Sequence, residues 1–364
     1  MGGSCRPLRG RVHYRCVAVN VTFVYPNSRT ALLGQITRGE APDTSLLGQN
    51  HLGEYGIEAS IHNPALRRID RRSGLVHRIT WNARELTLPW ELGDTDVACT
   101  PLARVFPSTA RLRGRPRVLV ISYHLCSTYE RSSAPSRRLL RSSVRSAAAI
   151  VCISEAGRSR LIELTGVDPS RVHVAPLGVD ERYWQAEGPA PDGYVLTVGR
   201  DLARDYATFA RAVAGIPRQV VLVAKHENLR GIELPENVDV RIDISPPEVR
   251  ELYAGAACVV VPIRAEGHRY GTENSGTIAL LEAMATARPV VVAQRSTLAD
   301  YVRPGETALT VPAEDPEALR DAIARVLEDA DAATRMGASA RSAVEDRFTT
   351  SAFAGRLAAV IRLL

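Results

Sequence analysis

Continuous apolar runs rich in valine, separated by amphipathic helical stretches, constrain this chain more than any other feature. Between Tyr194 and Val311 six runs follow one another: Tyr194–Val198, Gln219–Ala224, Val238–Ile242, Cys258–Pro262, Val290–Ala293 and Ala308–Val311. Helical patterns separate or follow them at Asp205–Ala214, Pro246–Tyr253, Thr277–Ala287, Pro316–Glu328 and Ala332–Arg347. Most runs do not alternate apolar with polar residues, which is the signature of parallel strands buried on both faces. Strand–helix alternation of this kind builds right-handed βαβ units and a doubly wound α/β domain. The first half predicts the same class less cleanly. Its candidate strands are Val17–Val24, Ile57–Ile61, Val97–Cys99, Val118–Ser122, Ala149–Ile153 and Val172–Ala175. Its helices are predicted at Ser45–Tyr55, Pro135–Ala147 and Glu155–Leu164.

A Pro- and Gly-rich seam, Glu187–Gly193, has little to bury and reads as a linker. It divides the 364 residues into a domain over 1–186 and a second over 187–345, with a terminal helix over 346–364 expected to pack back on the first. Two such domains make a cleft, and ligands bind at the carboxyl ends of parallel strands.

Composition removes several function classes. At 45% hydrophobic and 24% charged the chain is neither disordered nor fibrous. No apolar run approaches the ~20 residues of a membrane span. The N-terminus, MGGSCRPLRGRVHYR, has no apolar signal core, so a cytoplasmic enzyme is expected. The six cysteines, Cys5, Cys16, Cys99, Cys126, Cys152 and Cys258, show no metal-finger spacing, and no bound metal is expected. The net charge is +6, carried almost wholly by arginine. Arg104–Arg145 holds ten arginines against one acid, Glu130. Without zinc-finger or RNA-binding aromatic patterns, nucleic acid is disfavoured. The remaining readings are a solvated face or weak peripheral contact with an anionic membrane at the inner face.

The window Val259–Val292 carries the most chemistry. A buried strand enters a polar loop, and Asn274-Ser275-Gly276-Thr277 leads into a helix. Free amides at such a start, with the helix dipole, hold phosphate. Glu282 sits within Leu280-Leu281-Glu282-Ala283-Met284, where a carboxylate needs a partner; a ribose diol would provide two donors.

With VLTVGRDLARDYATFARAV (195–213), ELYAGAACVVVP (251–262), LLEAMATARPVVV (280–292), PGETALTVPAEDPEALRDAI (304–323) and VHVAPLGVD (172–180), the chain from about Ile150 onward resembles the retaining GT-B glycosyltransferases of family 4. The resemblance implies two Rossmann-like domains: the first for the acceptor, the second for a nucleotide-diphosphate sugar. It implies that Glu282 binds the ribose and that Arg200, after Gly199, and Arg204 hold the diphosphate. It implies that His124, at the end of VLVISYHLCS, contacts the transferred sugar. Asn274 stands where the family's E-x7-E motif has its first glutamate; Glu273 is adjacent and Glu266 lies in the same loop.

The donor-binding set is then Gly199, Asn274, Ser275, Gly276, Thr277 and Glu282, with His124, Arg200 and Arg204 in catalytic roles. The implied reaction is hexosyl transfer with retention to a small-molecule, glycolipid or glycan acceptor. It needs no cofactor beyond the donor and no divalent cation, since neither Asp94-Thr95-Asp96 nor Asp329-Ala330-Asp331 ends a strand. A nucleotide-sugar epimerase and a non-catalytic partner subunit are the alternatives on this fold. The glycine-rich loop expected after the first strand is replaced by Tyr25-Pro26-Asn27-Ser28-Arg29-Thr30, and His51, His62 and Asn50 are polar candidates on that side.

Overall fold

A computed structural model describes residues 19–63, 84–101, 104–185, 188 and 190–364. The N-terminal segment with Cys5 and Cys16, the first residues of the strand predicted at Val17–Val24, and the 186/187 boundary lie outside the described residues.

The chain forms two six-stranded parallel sheets with helices on their faces. The first contains β1 (Val21–Val24), β2 (Ala59–His62), β3 (Val97–Thr100), β4 (Arg117–Ser122), β5 (Ala149–Cys152) and β6 (Val172–Val174), in the order β2-β1-β3-β4-β5-β6. Its helices are α1 (Thr30–Thr37), α2 (through 84–91), α3 (Phe106–Arg113), α4 (Leu125–Glu130), α5 (Ala134–Ser146) and α6 (Glu155–Thr165). The second contains β7 (Tyr194–Val198), β8 (Val220–Ala224), β9 (Val238–Ile242), β10 (Ala256–Val261), β11 (Val290–Ala293) and β12 (Leu309–Val311), in the order β12-β11-β10-β7-β8-β9. Its helices are α7 (Tyr206–Val213), α8 (Pro246–Ala254), α9 (Thr277–Ala285), α10 (Pro316–Glu328) and α11 (Ala330–Arg347); α12 (Thr350–Ile361) closes the chain. This is the GT-B architecture.

Burial explains the strand patterns. β8, β10 and β11 are interior strands and every residue in them is buried. β9 alternates as VDVRI, is only half-buried, and forms the sheet edge. Local chemistry sets the helix starts. Ser245 and Glu248 form a capping box: the Ser245 amide donates to the Glu248 carboxylate (2.8 Å) while the Ser245 hydroxyl faces the Glu248 amide. Asp315 Oδ1 accepts from the amides of Glu317 and Ala318 to start α10.

The helix predicted at Ser45–Tyr55 is instead two 3-10 turns, Asp43–Leu46 and Gln49–Tyr55. Leu47 and Gly48 between them both adopt left-handed backbone (φ 55° and 73°), which ends one turn before the next begins. α12 packs on the second of these turns, and Tyr55 Oη donates to the Ser351 carbonyl (3.0 Å).

The chain passes between domains near 176–193 and again near 348. The two passages pair: Val179 N–H donates to the Phe348 carbonyl (2.8 Å) and Thr350 N–H to the Val179 carbonyl (3.0 Å). Gly178 permits that approach, since a Cβ there would lie 2.1 Å from the Thr349 carbonyl oxygen.

Candidate active site

In the second sheet the strand order reverses at the neighbours β7 and β10, so the chain leaves their carboxyl ends toward opposite faces. A crevice opens at such a switch point. β7 delivers Gly199 and Arg200 to it, and the turn into α7 delivers Arg204. β10 delivers the loop 262–276 and the start of α9.

Arg204 lies flat over Gly199: any Cβ at Gly199 would meet its Nε at 2.1 Å. The side chain is only 5% exposed, so it is not a surface charge at a helix start. Its Nε and Nη1 have no hydrogen-bond partner; Asp201 Oδ2 lies 3.3 Å from Nε, out of line for a hydrogen bond. Arg200 is exposed, and its Nη2 donates to the Ile244 carbonyl (2.8 Å).

α9 begins without a side-chain cap. Gly276 precedes it at φ 92°, packed so tightly that a Cβ would meet the Ile263 side chain at 2.2 Å. Thr277 Oγ1 is buried and unpartnered, while Ser275 Oγ accepts from Thr272 N–H (2.9 Å) and shapes the loop. One turn further along α9, Glu282 accepts a hydrogen bond from Tyr253 Oη (3.1 Å). Burial pushes its carboxyl up to about 7, against the opposing pull of Tyr253, Arg204 and Arg200. Glu282 therefore feels the charges of both Arg204 and Arg200.

The loop before α9 also reaches the opposite domain. Asn274 Nδ2 donates to the Tyr123 carbonyl (2.8 Å), and its Oδ1 is buried without a partner. Glu273 accepts from the backbone amides of Cys126 and Ser127 (3.1 Å each) and from the Ser127 hydroxyl (2.5 Å). It thereby caps α4 from the other side of the cleft. His124 sits immediately before α4, with Nδ1 buried and unpartnered. Burial holds its pKa below the ordinary histidine value, opposed by the Glu273 charge. Burial and the Glu273 charge thus pull the His124 ring in opposite directions, and burial dominates.

Three further arginines follow strand ends and keep an unpartnered Nε. Arg29 follows β1, lies over the Tyr25 ring (4.5 Å) and keeps Nε unpartnered. Arg264 and Arg295, from the loops after β10 and β11, each keep an unpartnered Nε. Arginines at strand ends were the available signal for all three, hidden in a chain with 46 cationic residues. By contrast, His51 and Asn50 are occupied by Asp43 Oδ2 (2.7 Å each) and lie under α12, and His62 pairs with Glu91. Beyond Glu273, an interdomain cavity of about 760 Å³ is bounded by Ser127, Arg131, Gly157, His268, Glu273 and Arg295. None of the residues expected to bind the donor, Gly199, Asn274, Ser275, Gly276, Thr277 and Glu282, lines it.

Comparison with known proteins gives two family matches. Residues 47–183 match "Glycosyltransferase Family 4" and residues 193–329 match "Glycosyl transferases group 1". Among curated relatives, alpha-maltose-1-phosphate synthase of Mycolicibacterium smegmatis is 27% identical over 57% of this chain and 61% of its own length. The GDP-mannose-dependent alpha-(1-6)-phosphatidylinositol monomannoside mannosyltransferase of Mycobacterium tuberculosis is 27% identical over 73% of this chain and 74% of its own. The chain spans about half the length of the first curated relatives it matches, 43–61% for three of them. Among solved structures, sucrose-phosphate synthase of Thermosynechococcus elongatus superposes with a TM-score of 0.70 at 18% identity, covering 94% of this chain and 98% of that one. HepE of Anabaena in complex with UDP-glucose superposes with a TM-score of 0.67 at 14% identity, covering 95% and 100%.

Proposed function

Because the chain belongs to glycosyltransferase family 4 of the group 1 glycosyl transferases, we propose that it transfers a hexosyl unit from a nucleotide-diphosphate sugar to an acceptor hydroxyl, with retention of anomeric configuration. The observation that carries this reading is the cluster of unsatisfied donors at the β7/β10 switch point: Arg204 Nε and Nη1, Thr277 Oγ1 and the uncapped start of α9. Buried donors without acceptors are costly, and a diphosphate would satisfy all of them at once.

Glu282 supplies the complementary acceptor for the ribose hydroxyls. As the sugar–phosphate bond breaks, negative charge grows on the departing diphosphate, and Arg200 and Arg204 stand ready to stabilise it. They take the place a divalent cation would fill. The leaving phosphate accepts the acceptor's proton, so no protein base is required. Asn274 Oδ1 and His124 Nδ1 remain free for sugar hydroxyls. Names of relatives favour hexose donors such as GDP-mannose, and one solved neighbour holds UDP-glucose.

The direct test is transfer from UDP-glucose, GDP-mannose and ADP-glucose to a panel of sugar, inositol-phosphate and lipid acceptors, with excess chelator present. Product with the donor's anomeric configuration is expected. Isomerised nucleotide sugar without transfer would establish the epimerase instead. Complete, magnesium-reversible loss under chelator would overturn the metal-free mechanism.

The acceptor's setting is read from the first domain. No helix among the described residues is long and apolar enough to cross a membrane. Leu112 on α3 (88% exposed), Trp90 on α2 (62%) and Leu139 on α5 are exposed apolar groups. Arg111 and Arg113 flank Leu112, and Arg113 lies over the Trp90 ring (5.8 Å). Arg137 and Arg141 are partly tied to Tyr129, so Arg111, Arg113, Arg138 and Arg145 carry the free charge. We place weak contact with the inner, anionic membrane face here, for a cytoplasmic enzyme. Sedimentation with anionic vesicles should show binding at low salt that fades at high salt.

A further inference from the structure

Arg288 is the largest fully buried side chain described in the protein, at 1% exposure. It precedes β11, at the amino ends of the strands and thus at the end of the second domain away from the cleft. Its Nε and Nη2 have no hydrogen-bond partner, and no acidic side chain among the described residues pairs with it. Burial pushes its pKa down, opposed by the pull of Tyr194. A guanidinium left in this state is costly, and nothing in the glycosyl-transfer site needs it.

Arg288 lines a cavity of about 170 Å³. The other walls are mostly apolar: Pro191, Ala257, Val326, Ala330 and Ala333 among them. α11 begins in that wall with its first turn capped by Asp329, so Arg288 alone supplies the positive charge facing the cavity. The volume selects the ligand. A dry cavity of about 150 Å³ holds benzene, so this one takes a guest of roughly six to eight non-hydrogen atoms. That is too small for a nucleotide or a disaccharide. One cation within apolar walls suits one negative head on a short apolar body.

We propose that the Arg288 cavity is a second binding site, for a small aliphatic or aromatic monocarboxylate, separate from the donor cleft. The carboxylate takes a bidentate bond from the guanidinium, and its carbon body lies against Pro191, Val326 and the alanines. Inorganic phosphate shares the charge and lacks the apolar body, so it binds more weakly.

The test is calorimetric titration of the full chain with acetate, butyrate, benzoate and inorganic phosphate, at constant ionic strength in an otherwise chloride-poor buffer. Saturable binding is expected, with butyrate or benzoate at least tenfold tighter than acetate or phosphate. The melting temperature should rise by about 3 °C at hundredfold excess over Kd. Arg288→Met should abolish binding and melt at or above the wild-type temperature without ligand, because it removes an uncompensated buried charge. Ala338→Leu fills the cavity mouth, leaves the guanidinium in place and should weaken butyrate at least tenfold. Phosphate binding as tightly as butyrate would overturn the carboxylate assignment. No saturable binding to the wild type, binding unchanged in both variants, or an Arg288→Met protein destabilised without ligand would overturn the site.

Discussion

Two glutamates, one buried in the first domain and one half-buried in the second, show what separates the scaffold from the site. Glu85 on α2 is 1% exposed, and its Oε2 accepts the amides of Val105 (2.7 Å) and Phe106 (3.0 Å) at the start of α3. Glu282 on α9 accepts from one tyrosine hydroxyl, and burial pushes its carboxyl up to about 7. A carboxylate supplied with backbone donors ties elements together; one short of donors is kept for something that arrives later. The contrast extends to whole regions. Beneath α12, Asp43 Oδ2, Asn50, His51, Glu54, Thr350 and Ser351 bond to one another, and Asp43 Oδ1 alone of the group's carboxylate oxygens is buried without a partner. Around the cleft, Arg204, Arg264, Asn274, Thr277 and His124 each keep an atom without a partner.

The severest way to break this contrast is at Arg204. Arg204→Ala should lower kcat by about a thousandfold, since a fixed charge at a leaving group is worth that much. Steady-state kinetics at saturating donor measure it. Loss of less than tenfold would mean that the unpartnered groups of the second domain do not read the diphosphate.

His124→Ala probes the other wall. Turnover should fall by about a hundredfold, while nucleoside diphosphate affinity stays within about threefold, because nucleotide binding belongs to the opposite domain. A variant that is fully active per folded molecule but melts lower would move His124 into the scaffold class.

Glu282→Gln sharpens the glutamate comparison directly. Nucleoside diphosphate should bind about tenfold more weakly at pH 8, as charge-assisted hydrogen bonds to the ribose are lost. The sign with pH follows from the raised value. Above about 7 the carboxylate is ionised and accepts both hydroxyls; as pH falls through 7 it protonates and affinity drops. Calorimetry from pH 8 to pH 6 should show that decline in the wild type beyond the decline in Glu282→Gln, which retains only the phosphate's own titration. Equal slopes would dismiss the ribose role.

The smallest effect belongs to the saturated side. Hydrogen bonds donated to Asp43 and Glu54 raise His51 from 6.5 to about 9, so the histidine is cationic at neutral pH. Its contribution is complete below 6.5 and is lost as pH rises through 9. Thermal melts should show stability falling by about 1 kcal/mol between pH 7 and pH 9.5, with Glu54's exposure limiting the gain. His51→Gln should flatten that decline; an unchanged profile would remove His51 from the account.

Much of the second domain was legible because burial on both faces leaves an unmistakable trace in strands such as Val220–Ala224 and Val290–Ala293. Ser245 and Glu248 announced their helix through three-residue spacing alone. Ser45–Tyr55 misled because the left-handed backbone at Leu47 and Gly48, which splits it into two short turns, leaves no apolar signature. α4 was illegible for a different reason. The residue that caps it, Glu273, lies 146 positions from Ser127 and comes from the other domain. The family resemblance grouped Gly199, Arg200, Arg204 and Glu282 around one pocket. It did not reveal that Asn274 and Glu273 span the cleft.

The paired passages at Val179 and Thr349 have a mechanical meaning. Two separate crossings would let the domains shear past each other; two crossings stitched by backbone hydrogen bonds at a glycine with no room for a side chain behave as one pivot. Motion about a pivot is smallest beside it and grows with distance. The Glu273 bonds to α4 lie across the cleft, where a few degrees of rotation separate donor from acceptor. Opening the cleft about that pivot would break those bonds together with those of Asn274 to Tyr123 and Arg131 to His268. A weaker clasp, as in Glu273→Gln, would quicken product escape and loosen His124 in the same stroke.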